Sequence, residues 1–303
     1  KKVDQKKAEQ RKYVKNEKKV NKKLAEKSYD GKHQTIEVND NKPTFTTSDL
    51  KIKKQGWEKY GDLDSLNRAT SAEALLNQRR MPTKKRKSIQ NVKPTGWHSK
   101  KINGSYLYNR SHLIGYALSG ENDNWKNLIT GTRQLNSPEM LHLEMDIKTY
   151  LEKSKKNYVR YSVIPIFKND ELVARGVHMQ AQSIDSNAIS FNVYIHNIQE
   201  GVTINYANGN SQTKSAMQAA KKAKEEQERK EAAEKQATKE QEQAQQDEQA
   251  NDLSESTVYV ATQSGSKYHF DPNCRGLNNA NSVSSMDINQ AKAQDYTLCG
   301  WED

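Results

Sequence analysis

The sequence predicts an α+β protein: an antiparallel sheet with flanking helices, then a long solvated helix and a small C-terminal module. Three observations carry that prediction. Runs from Tyr158 to Phe167, Leu172 to Ala181 and Ile189 to Ile195 alternate along the chain, with turn clusters between them, as an antiparallel meander does. Residues 136–152 repeat apolar side chains at Met140, Leu143, Ile147 and Leu151, a helical spacing. Residues 216–250 are almost wholly Ala, Lys, Glu and Gln, and apolar and aromatic content returns over 256–303.

The elements follow in order. Residues 1–29 are Lys-rich with scattered Val14, Val20, Leu24 and Ala25, which predicts a frayed helix or a disordered arm. Thr35-Ile36-Glu37-Val38 alternates like a strand, and Asn39 to Pro43 is a turn cluster. Thr70 with Glu73 three residues on has capping-box spacing, so a helix is expected through Leu75-Leu76. Residues 82–104 read as surface loop. Tyr106-Leu107-Tyr108 and His112-Leu113-Ile114 have strand character, and Ser137-Pro138 suits a helix entry. The 216–250 tract lacks the large apolar seam of a coiled coil, so it reads as a semi-rigid helical spacer.

Composition narrows the function classes. The chain has 303 residues and a net charge of +11, with 33% hydrophobic and 29% charged residues. That is too little apolar content for 303 packed residues. No stretch approaches the roughly 18 apolar residues of a membrane span. The basic excess lies in residues 1–32 (net +8) and 33–215 (net +9), whereas 216–252 and 253–303 are each −3. A basic surface concentrates polyanions. Two cysteines exclude a disulfide-dense scaffold. The first residue is Lys rather than Met, consistent with a removed leader.

The chemistry-bearing segment is Tyr108-Asn109-Arg110-Ser111-His112-Leu113-Ile114-Gly115, followed by Asn124 to Asn136 and then Glu144. A lone His in an apolar run is usually structural, and a lone Asn before a helix is usually a cap. The joint pattern points elsewhere: one His, two Asn nine residues apart, and a Glu eight beyond the second. The segment resembles the DNA/RNA non-specific endonucleases of the ββα-metal (His-Me finger) group, and it is similar to secreted and DNA-entry nucleases of Gram-positive bacteria. Leu63 to Ala69, Lys93 to His98, Leu172 to Val177 and Phe191 to Tyr194 also look like family segments, so the resemblance covers about residues 33–208. The family's Asp-Arg-Gly-His reads Asn109-Arg110-Ser111-His112 here.

The resemblance implies a ββα-metal motif and a division into a basic helical or disordered arm (1–32), a nuclease domain (33–215), a charged helical linker (216–252) and a small Cys/His module (253–303). It implies His112 as general base, Asn136 as ligand of one Mg²⁺ (or Mn²⁺), and Asn127 as a group orienting Asn136, the metal waters or His112. Glu144 would accept hydrogen bonds from metal-bound water, and Arg133 or Arg110 would donate to phosphate oxygens. A structural pairing of Arg110 with a carboxylate is the competing role. These residue types suit phosphodiester hydrolysis. A neutral imidazole takes a proton from water, a hard cation neutralises the phosphate, and guanidinium forks match its oxygens.

The implied activity is sequence-non-specific cleavage of DNA, with RNA open, leaving 5′-phosphate ends, in a secreted or cell-surface protein. Lys84-Lys85-Arg86-Lys87 and Lys100-Lys101 are candidate phosphate-tracking loops. A non-catalytic nucleic-acid or wall-binding protein on the same fold, or an antibacterial nuclease toxin, are the alternatives, with wall contact assigned to the arm or the module.

The C-terminal module contains Tyr268-His269-Phe270-Asp271-Pro272-Asn273-Cys274 and Thr297-Leu298-Cys299-Gly300-Trp301. Three readings stand open: a structural Zn²⁺ site of His269, Cys274, Cys299 and a fourth ligand such as Asp271 or Asp303, a Cys274–Cys299 disulfide, or free thiols. The module resembles small units appended to bacterial surface and nuclease proteins. Their zinc sites have a further Cys, whereas Cys299 here is followed by Gly300-Trp301-Glu302-Asp303.

Overall fold

A computed structural model describes residues 2–254 and 256–302, with side chains placed except at 2 and 250–254. The chain divides into two compact units, Lys1–Gln218 and Ala219–Asp303. In chain order the first contains α1 (Lys2–Ala25), β1 (Thr35–Glu37), β2 (Trp57–Tyr60), β3 (Ala72–Asn77), the short hairpin β4 (Lys101–Ile102) and β5 (Ser105–Tyr106), β6 (Tyr108–His112), α2 (Tyr116–Ser119), β7 (Leu128–Thr132), α3 (Leu141–Glu152), β8 (Tyr158–Ile166), β9 (Gly176–Ser183), β10 (Ser190–His196) and the hairpin β11 (Val202–Ile204) and β12 (Ser211–Thr213).

Six strands form one antiparallel sheet in the order β1-β10-β9-β8-β3-β2. The expected meander is β8-β9-β10, and its alternation sorts side chains onto two faces. Val159, Tyr161 and Val163 join Ile147 and Leu151 of α3 in the main core. Ile166 and Tyr194 point the other way and meet Leu24 of α1. The fold is the α+β class that the sequence predicts, with helices on both faces of the sheet.

Two local readings change. The helix expected from Thr70 is strand β3. It pairs on one side with β2 and on the other with β8, and Ala72, Ala74, Leu75 and Leu76 are wholly buried. Tertiary pairing overrides local propensity here. Thr70 donates its hydroxyl to the Asp62 carbonyl, and Glu73 turns to the Arg160 guanidinium at 2.5 Å rather than back to a helix start. The basic segment at 1–32 is also not a free arm. Its helix α1 docks by polar anchors: Glu17 accepts from Gln180 Nε2 at 3.1 Å, and Asn21 lies 2.7 Å from the His178 ring. Only a thin strip around Val20, Leu24 and Ala25 is apolar, which is why the pattern looked frayed.

Strands β6 and β7 pair apart from the main sheet, with Arg110 opposite Thr130 and His112 opposite Leu128. A wide π-type turn over Leu135–Met140 then leads into α3. This is the ββα element. Ser111 points at Gly131 across the hairpin, where a Cβ would lie 2.1 Å from the Ser111 Oγ. A side chain at 111 fits because there is none at 131.

Helix α4 (Lys214–Ser254) begins in the first unit and enters the second, and its described side chains are exposed. Pairs such as Glu226–Lys230 at 2.9 Å line its surface. The second unit then folds β13 (Thr257–Ala261), β14 (Lys267–His269), β15 (Val283–Asp287), α5 (Ile288–Ala293) and β16 (Thr297–Leu298). Its sheet runs β15-β13-β14-β16 over a small core of Val258, Val260, Tyr268, Ile288 and Ala291.

Candidate active site

A cleft of ≈ 870 Å³ opens beside β6. His112 and Asn136, widely separated in sequence, both line it, together with Asn109 and Arg110. His112 ends β6, and Asn136 sits in the π-type turn ahead of α3, so the ββα element brings both to the same cleft. The cleft also takes Arg86 and Lys93 from the loop before β4, and none of its lining residues is acidic. It is therefore a cationic groove suited to an anionic substrate.

His112 is buried, and its Nε2 lies 2.7 Å from the Asn122 backbone carbonyl. A carbonyl only accepts, so Nε2 carries the hydrogen and Nδ1 keeps its lone pair. Burial lowers the ring's pKa to about 4, against a smaller upward pull from the Asn122 carbonyl, and Arg86 lowers it further. At neutral pH the imidazole is uncharged and able to accept a proton.

Among the described residues no carboxylate pairs with Arg110. Nη2 donates to the Gln90 carbonyl at 2.8 Å, Nε donates to the Val92 carbonyl, and the guanidinium stacks 4.1 Å over the Trp97 ring. Its full positive charge stays at the cleft in a fixed orientation, and the carboxylate pairing considered from sequence does not form.

The remaining sequence candidates lie elsewhere. Asn127 is fully buried and clamps one residue's backbone: its Oδ1 accepts from Ile114 N and its Nδ2 donates to Ile114 O, both at 2.9 Å. It meets neither Asn136 nor His112 directly, and it acts on the chain two residues past the histidine. Glu144 is not among the cleft-lining residues either. Its Oε1 accepts from Gly115 N at 2.7 Å, and burial raises its pKa to about 7. Any Cβ at position 115 would sit 2.5 Å from that carboxylate. Arg133 is exposed and outside the cleft, and only its backbone is tied down, to Leu107 O at 2.8 Å.

Sequence reasoning missed the Asn122 carbonyl, because a backbone acceptor leaves no trace in residue type. It also missed Tyr106 and Tyr108 as lining residues. Of the two basic loops, Arg86 reaches the cleft, whereas Lys100 donates to the Ser211 carbonyl and Lys101 stacks 4.9 Å over Tyr106.

A buried histidine, an arginine and an asparagine carried by a ββα element thus line one cationic cleft. Residues 48–185 match the DNA/RNA non-specific endonuclease family. A deoxyribonuclease of Streptococcus dysgalactiae subsp. equisimilis is 32% identical over 169 residues, which is 53% of this chain and 49% of that protein. The chain thus spans about half the length of the curated relative it matches. The fold is similar to NucA from Streptococcus agalactiae with magnesium ion bound, with a TM-score of 0.52 and 26% identity over 58% of this chain and 85% of NucA. It is also similar to NucA with no metal bound, with a TM-score of 0.51 and 27% identity over 58% and 86%. The resemblance read from the sequence is thus matched over residues 48–185.

Proposed function

We propose that the chain is a sequence-non-specific endonuclease that hydrolyses DNA with His112 as general base. The observation that carries this reading is the hydrogen bond of His112: Nε2 is committed to the Asn122 carbonyl, which leaves Nδ1 as the basic nitrogen of a residue lining a cationic cleft. Nδ1 takes a proton from water, the water oxygen attacks phosphorus, and the bond to the 3′ oxygen breaks; that oxygen takes a proton from solvent water and His112 returns its own to solvent, leaving a 5′-phosphate and a 3′-hydroxyl. General-base assistance of this kind contributes roughly 10²–10⁴-fold. Arg110 holds its guanidinium toward the non-bridging oxygens, where charge grows in the transition state.

The donor set fits Mg²⁺. Asn136 offers a hard carbonyl oxygen in a cleft with no thiol and no carboxylate, and Mg²⁺ needs few protein ligands because water and phosphate supply the rest. Bound there through Asn136, it would neutralise the phosphate and the departing 3′ oxygen. Asn127 and Glu144 act as positioning residues. Each holds a backbone group within three residues of His112 and so sets where the ring sits.

Contacts to a sugar–phosphate backbone carry no direct sequence information, which suits a groove lined by Arg86, Lys93 and Arg110. DNA is the proposed substrate because the relative is a deoxyribonuclease. A secreted or cell-surface location belongs to the same reading and rests on the sequence resemblance. The test is digestion of plasmid DNA and of RNA by wild type and His112→Ala, with Mg²⁺ and with EDTA. Wild type is expected to nick and degrade plasmid only with the metal. His112→Ala is expected to be nearly inactive while its circular dichroism is unchanged. Undiminished cleavage by that variant would remove His112 as the base.

A further inference from the structure

The C-terminal unit carries a second cluster of chemistry-bearing side chains, with a different donor chemistry. β14 and β16 pair in parallel with Tyr268 opposite Leu298, so His269 and Cys299 come side by side at the ends of neighbouring strands. Cys274 closes the turn after β14. The ligand atoms of His269, Cys274 and Cys299 all lie within 4.8 Å of one another, and all three residues are buried. Both cysteines are free thiols, with their sulfurs 3.9 Å apart. His269 Nδ1 is enclosed and has no hydrogen-bond partner, and it faces Glu302 Oε1 at 3.7 Å. A buried ring nitrogen without a partner is a cost that a ligand would remove.

We propose that His269, Cys274, Cys299 and Glu302 form a tetrahedral Zn²⁺ site in which the carboxylate of Glu302 is the fourth ligand. The spacings suit it. Two thiolates about 2.3 Å from one Zn²⁺ stand about 3.8 Å apart at the tetrahedral angle, and N and O donors at about 2.0–2.1 Å stand about 3.4 Å apart. The observed 3.9 Å and 3.7 Å are within a few tenths of those values. The surroundings are built for the same purpose. Glu302 Oε2 accepts from Phe270 N at 2.5 Å, which fixes the carboxylate with Oε1 toward His269, and Asp271 N approaches Oε1 at 3.4 Å. A Cβ at Gly276 would come 2.7 Å from the His269 ring and 3.0 Å from the Cys299 sulfur, so the cluster leaves no room for one. Arg275 lies 3.2 Å over the Trp301 ring and ties together the two loops that carry the ligands.

Of the fourth ligands considered from sequence, Asp271 is engaged elsewhere: its Oδ1 accepts from Asn273 N in its own turn at 2.8 Å, and Asp303 lies outside the described residues. Thiolates and imidazole select zinc over Mg²⁺, so the two sites of the chain take different metals. The unit's small core needs such a staple, and the site does not depend on the nuclease reading.

The test uses the full chain. Wild type passed through metal-free buffer is expected to retain about one zinc per chain. Its Co²⁺ form is expected to show thiolate-to-metal charge transfer together with the intense visible bands of a tetrahedral ion, which the cleft cannot produce. By competition with a chromophoric chelator, Cys299→Ser should weaken zinc by more than about 100-fold and Glu302→Gln by about 10–100-fold, while Glu302→Cys should bind at least as tightly as wild type. Glu302→Gln keeps the side chain's shape, so it separates ligation from folding. Zero thiols in denatured, non-reduced wild type, or a Co²⁺ form without thiolate bands, would overturn the site. Equal zinc affinity in Glu302→Gln would overturn its fourth ligand.

Discussion

His112 and His269 are both buried and both end a strand, yet their surroundings differ in the way that the two proposed tasks, base and ligand, require. At His112 burial and the nearby Arg86 keep the ring neutral against the pull of the Asn122 carbonyl, which takes Nε2–H, and no thiol lines the cleft. At His269 the buried Nδ1 meets two sulfurs and a carboxylate and finds no hydrogen-bond partner. What faces the second ring nitrogen, rather than burial itself, separates a base from a ligand.

The sharpest way to break this contrast is to exchange the losses. His112→Ala should lower DNA cleavage by roughly 10²–10⁴-fold and leave bound zinc unchanged. His269→Ala should shed zinc while keeping cleavage within about twofold of wild type. Equal effects of the two variants on either readout would dissolve the distinction. Next in size, Arg110→Lys should lower kcat/KM about tenfold, because an ammonium replaces neither the fork nor the stacking on Trp97. A change in KM alone would instead mark Arg110 as a simple binding charge.

Asn127→Ala is expected to cost about 2–3 kcal/mol in urea unfolding, since both polar groups of Ile114 lose their partner in a buried setting. Its activity should recover at lower temperature, where the fold is restored. Activity lost without loss of stability would place Asn127 in the chemistry itself.

A further effect is on pH. His112 has a folded pKa of about 4 against 6.5 for the free group, so between those values the unfolded chain binds more protons than the folded one. Stability should therefore fall as pH drops from about 6.5 toward 4 and then level off with respect to this residue. The acid limb of kcat/KM should likewise lie well below 6.5. Denaturant titrations of wild type and His112→Ala at pH 7 and pH 4.5 check the sign: the variant should lose less stability on acidification. An identical loss in both would show that His112 is not held neutral by its burial.

The meander was legible in sequence because three β-rich runs alternate between turn clusters from Tyr158 to Ile195, although β8, β9 and β10 are buried on both faces. The spacing of α3 was equally plain. β3 was not, since Ala72, Ala74, Leu75 and Leu76 are good helix formers, and only two flanking strands make them extended. α1 looked like loose charge because its anchors are Glu17 and Asn21, residues that sequence reading assigns to solvent. In the site, His112, Arg110 and Asn136 share a cleft as the motif implied. Asn127 and Glu144 could be recognised as members of the constellation, but their work on the backbone of Ile114 and Gly115 could not, because main-chain partners are invisible in a string of side chains.

The contact between Ser111 and Gly131 has one more consequence. The two positions share a single allotment of space in the hairpin that carries His112, and the Ser111 hydroxyl spends its part without a hydrogen-bond partner. A chain with glycine at 111 and alanine at 131 would fill the same volume from the other strand. Related sequences that differ at either position should therefore differ at both, and the histidine at the strand's end would inherit its aim from whichever bargain was struck.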